Sequence, residues 1–138
     1  MSAITTSKTP GVAVTGVNGQ TVALKQLTEE TTILAAATTD TAIEIPANAI
    51  VLGVSVRVTT VIPTAATFTV IGTTTSTVFQ TGASVSTAAT TTDVGTKSCP
   101  YLNATAQTIR FTPNTSPDAA TGKVRVTINY IEVTAPTG

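Results

Sequence analysis

The chain has 138 residues, with seven acidic and seven basic side chains, a formal net charge of zero and no histidine. Only 10% of its residues are charged, against about 25% in ordinary soluble domains. The basic residues are scattered at Lys8, Lys25, Arg57, Lys97, Arg110, Lys123 and Arg125, which excludes the basic stripe that a nucleic-acid binder uses to neutralise phosphates. About a quarter of the residues are threonine, and β-branched side chains lose freedom in helices but pack well on a pleated sheet. The composition therefore implies an all-β fold. A surface so poor in charge suits either a domain covered by partners or one hydrated by hydroxyls.

The single cysteine, Cys99, rules out an intrachain disulfide framework and fits synthesis in a reducing compartment. The start, MSAITTSKTP, has no apolar signal-peptide core, and no apolar stretch is long enough to cross a bilayer as a helix. Two glycosylation sequons, at Asn103 and Asn114, read as coincidence in a Thr-rich chain.

In chain order, residues 1–11 read as an extended polar arm. GVAVTGVNGQTVALKQL follows, two short β segments around Asn18-Gly19, the favoured pair for a type I′ turn. This hairpin is too short to stand alone, so residues 1–26 are expected to form an arm lying on the main domain or on a neighbour. The main domain, 27–138, opens with candidate strands Thr28–Leu34 and Thr41–Ile45. The longest strand signal is Ile50–Val58, whose period of two puts Ile50, Leu52, Val54, Val56 and Val58 on a core and Val51, Gly53, Ser55, Arg57 and Thr59 on the opposite face. Thr67–Ile71 sends Phe68 and Val70 inward, Val78–Thr81 is a weaker strand, and residues 83–98 read as a long loop with a short strand near Thr91–Val94. Gln107–Thr112 turns Ile109 and Phe111 inward and Arg110 outward, and PNTSPDAATG is a loop of turn-forming residues. Lys123–Val133 closes the domain with Val124, Val126, Ile128 and Tyr130 facing in. About eight strands with one-sided alternation imply an antiparallel β-sandwich, jelly-roll-like, with a closed barrel as the alternative.

Side-chain chemistry is sparse. Without histidine, the commonest general base and metal ligand is missing, and one cysteine cannot make a thiolate zinc site. Cys99 as a nucleophile would need a base that the sequence does not offer; a buried, inert thiol is the simpler reading. Of the seven acids, Glu29-Glu30 cannot act as a pair because adjacent residues on a strand point to opposite faces, and all are read as solvated surface acids. Alternation sends Phe68, Phe111 and Tyr130 inward, leaving only Phe79 and Tyr101 for the exposed aromatic platform that a sugar site uses. The expectation is a chain with no catalytic residues, metal or cofactor, working by surface contact.

Three stretches, IEIPANAIVLGVSVRVTTVIPTAATFTVIG, IRFTPNTSPDAATG and KVRVTINYIEVTAP, together resemble a β-sandwich module of structural proteins of tailed bacteriophages and related prophages. The resemblance lies in their order and spacing, covers most of Leu27–Pro136, and departs from the family at Phe79-Gln80-Thr81-Gly82, where relatives often carry Arg-Phe-Gly-Gly. It implies a virion component made in the host cytoplasm. A small sandwich behind a short arm suits a capsid decoration (cement) protein on the outside of the head shell; a tail- or fibre-associated adhesion module is the alternative, and a carbohydrate-active enzyme with a carboxylate pair is a third. The partners implied are the major capsid protein and copies of the chain itself, as a trimer or dimer, with no nucleic acid or membrane. The residues expected at the partner interface are Val12, Val14, Val17, Val22 and Leu24 of the arm, and Val51, Ser55 and Arg57 of the outward strip.

Overall fold

The protein was analysed as a computed structural model, which describes residues 6–15, 20–84, 92–95 and 97–134. These form ten strands and no helix: β1 (Thr6–Thr15), β2 (Thr21–Thr32), β3 (Thr39–Ile45), β4 (Ala49–Thr60), β5 (Thr67–Gly72), β6 (Val78–Ser84), β7 (Thr92–Gly95), β8 (Tyr101–Asn103), β9 (Gln107–Pro113) and β10 (Lys123–Thr134). One sheet runs β1-β2-β10-β4-β7, with β8 on the same edge of β4 as β7 but further along it. The other runs β3-β9-β5-β6. Every pairing is antiparallel.

The order of pairing defines the topology. β2 pairs with β10, β3 with β9, β4 with β7 and β8, and β5 with β6. The chain is thus doubled on itself, first half against second, and successive pairs alternate between the two sheets. That is the jelly roll, which confines a β-rich chain to two packed layers. The closed barrel is not what forms. Ten strands appear where about eight were expected because β1 adds an outer strand and β8 is too short to leave a sequence pattern.

The core is built as the alternation requires. Val124, Val126, Ile128 and Tyr130 of β10, Ile109 and Phe111 of β9, and Phe68 and Val70 of β5 are all buried. Phe68 and Phe111 meet edge to face at 5.7 Å across the β5–β9 ladder. The period of two fails in β4. Asn129 stands opposite Gly53, but the next residue, Tyr130, stands opposite Val51, so Leu52 is the extra residue of a β-bulge. Beyond the bulge the faces are exchanged. Val51 is fully buried, Leu52 is 39% exposed and Ile50 is half-buried. The expected assignment of Ile50 and Leu52 to the core and Val51 to the outside is therefore corrected, while Val54, Val56 and Val58 face the core as expected.

The expected boundary after residue 26 falls inside a strand. β2 pairs continuously with β10 from Thr21↔Thr134 to Thr32↔Lys123, so residues 21–26 are part of the main sheet. β1 then extends this sheet by pairing with β2, from Thr6↔Glu29 to Thr15↔Thr21.

A buried amide pair holds the three-residue β8 in place. Asn103 Nδ2 donates to the carbonyls of Ile45 (3.1 Å) and Pro46 (2.8 Å), and Asn103 Oδ1 accepts from Gln107 Nε2 at 2.6 Å. Gln107 Oε1 in turn accepts the N–H groups of Thr74 and Thr75. Three loops are pinned at one end of the sandwich by two side chains. Gly72 must lack a side chain there, since a Cβ would collide with the Gln107 amide. The burial of Asn103 also makes its sequon match purely structural, as no glycan fits a side chain enclosed in the fold.

Candidate interaction surface

Four of the described acids are engaged in holding the fold, while Glu44 and Asp118 are exposed. Glu29, read from sequence as a solvated acid, is instead 6% exposed. Its carboxylate accepts from Thr31 Oγ1 (2.7 Å), Ala42 N (2.9 Å) and Ile43 N (2.7 Å). The reason lies in β3, whose register against β9 shifts between Asp40 and Glu44. Glu29 reaches across from the other sheet to N–H groups in that interval, and Thr41 Oγ1 accepts the N–H of Ile109 within the same gap.

Three other acids form ion pairs: Glu30 with Arg125 (2.7 Å), Asp40 with Arg110 (2.6 Å) and Glu132 with Lys25 (2.6 Å). The Arg110 hydrogen bond holds the Asp40 carboxyl below its ordinary value of 3.8. The hydrogen bond to Glu132 raises Lys25 above 10.5. Cys99 is half-buried against the core, and desolvation pushes its thiol up, away from a reactive thiolate. Among the described residues no group of three or more His, Cys, Asp or Glu side chains is placed to hold a metal. Phe79 is fully buried and meets Tyr101 edge to face at 5.9 Å, so Phe79 offers no platform for a sugar ring.

What stands out is the outer face of the larger sheet. Its residues form cross-strand rows, and the rows change character along the strands. At one end Arg125 lies between Glu30 and Arg57, and Lys123 lies beside Thr32 and Thr60. In the middle Thr28 and Thr127 share a hydrogen bond of 3.2 Å, and Gln26 donates to Asn129 at 3.1 Å. At the other end the rows are apolar. Leu24, Ile131, Ile50 and Leu102 stand side by side across β2, β10, β4 and β8, and Val22 pairs with Val133 in the next row. Leu52, turned outward by the bulge, adjoins them. Leu102 is 61% exposed and Val133 53%. Five of the seven large apolar side chains exposed among the described residues lie in this band.

Of the residues expected at an interface, Val22 and Leu24 are in the band. Val12 and Val14 are on β1, with Val14 opposite Val22 in the ladder; Val17 lies outside the described residues. Ser55 is half-buried and Arg57 exposed on the same outer face, nearer its charged end. Val51 is in the core and cannot be a contact residue. Sequence reasoning missed Ile50, Leu52, Leu102, Ile131 and Val133. One signal was available: a lone glycine inside a strand pattern, Gly53, marks a bulge. The remainder depends on which strands become neighbours.

These features define a two-sheet jelly roll that carries, among the described residues, an exposed apolar patch on the larger sheet. Among solved structures, a chain of the cyanophage Pam1 capsid asymmetric unit has a similar fold, with a TM-score of 0.51 and 22% sequence identity, over 84% of this chain and 87% of that one. The likeness is one of fold. No protein-family profile matches the chain, and no curated protein is similar to it in sequence.

Proposed function

We propose that the protein is a non-enzymatic structural component of a bacteriophage virion, a decoration protein that binds the head shell on its outer surface through contacts with the major capsid protein. The observation that carries this reading is the jelly roll shared with a capsid chain over nearly the whole of both chains. Jelly rolls recur in viral capsid proteins because two packed sheets leave broad, rigid faces for contact with neighbours. The engagement of four of the described acids fits binding better than catalysis, while Glu44 and Asp118 stand singly on the surface. Glu29 is tied to backbone N–H groups and Glu30, Asp40 and Glu132 to cations, which leaves none of these four free as a general acid or base.

Quantitative mass analysis of purified virions tests the assignment. A decoration protein is present in hundreds of copies, in fixed proportion to the major capsid protein. A handful of copies per particle, located at the tail, would instead place the chain among tail- or fibre-associated adhesion modules.

A further inference from the structure

We draw no further inference here: the strongest candidate, the apolar band of Leu24, Ile131, Ile50 and Leu102 on the outer face of the larger sheet, carries none because nothing in the structure shows what covers it.

Discussion

Burying a carboxylate costs several kcal/mol unless hydrogen bonds replace its water, and Glu29 shows what that replacement does here. Its oxygens accept from Thr31 Oγ1 and from two backbone N–H groups of β3, where the β3–β9 register is shifted. One side chain on the first sheet thus satisfies the backbone of the second. Glu29→Gln keeps the shape but turns an amide NH₂ towards those donors, and should destabilise the fold by about 2–3 kcal/mol, the worth of charge-assisted hydrogen bonds. Urea denaturation measures this. A loss below about 0.5 kcal/mol, the scatter of ordinary surface substitutions, would mean that water reaches the site and Glu29 is not the keystone of the irregular stretch. Nothing in the sequence distinguishes Glu29 from Glu30; only the pairing of β2 makes one face the core and the other face Arg125.

At the level of the strands, the N-terminal segment divides at a different place from the one its composition suggests. The expected Asn18-Gly19 turn itself lies outside the described residues; strands β1 and β2 stand on either side of it, and the second continues through residue 26 to Thr32. Residues 21–26 pair with Asn129–Thr134 of β10, and the described buried core begins only at Leu27. Deleting residues 1–20 should therefore leave a folded sandwich that melts close to the full chain. Deleting 1–26 strips half of the partner of β10, along with Lys25, and should lower the melting temperature by several degrees, since ~1 kcal/mol corresponds to about 2–8 °C in domains of this size. Thermal melts of the two truncations check this, and equal melting temperatures would show that the stabilising β2–β10 ladder starts only at residue 27. The same comparison shows what a sequence pattern encodes. β9 and β10 were legible from alternation alone because each packs one regular face on the core. β4 was legible only beyond Gly53, because a bulge reverses the faces without altering composition. The apolar band was legible only at Val22 and Leu24, because its rows join residues as far apart as 24, 50, 102 and 131.

At the scale of the whole fold, three ion pairs among the described residues share one arrangement. Lys25–Glu132 and Glu30–Arg125 join β2 to β10, and Asp40–Arg110 joins β3 to β9. Each ties the first half of the roll to the second, the pairing with the longest chain closure, so with few charges available each helps fix register where slippage would turn core residues outward. Their pH dependence follows from the directions of the shifts. Asp40 is held below 3.8 by Arg110, so its contribution is present above 3.8 and is lost as the pH falls through the lowered value. Lys25 is raised above 10.5 by Glu132, so its contribution is complete below 10.5 and is lost as the pH rises through the raised value. Between these limits Asp40 and Lys25 both keep their charges, and stability should be flat from about pH 5 to pH 9 as far as these two groups decide it. The Asp40 and Arg110 side chains are 42% and 35% exposed, which places their pair among surface salt bridges worth about 0–1 kcal/mol. Asp40→Asn should therefore melt no more than a few degrees below the parent across that plateau. The difference should close as the pH drops below 3.8 and the parent carboxyl takes up its proton. Melting curves of both proteins between about pH 2 and pH 9 measure the gap. A gap that widens on acidification would show that Asp40 stabilises the β3–β9 pair by something other than its charge.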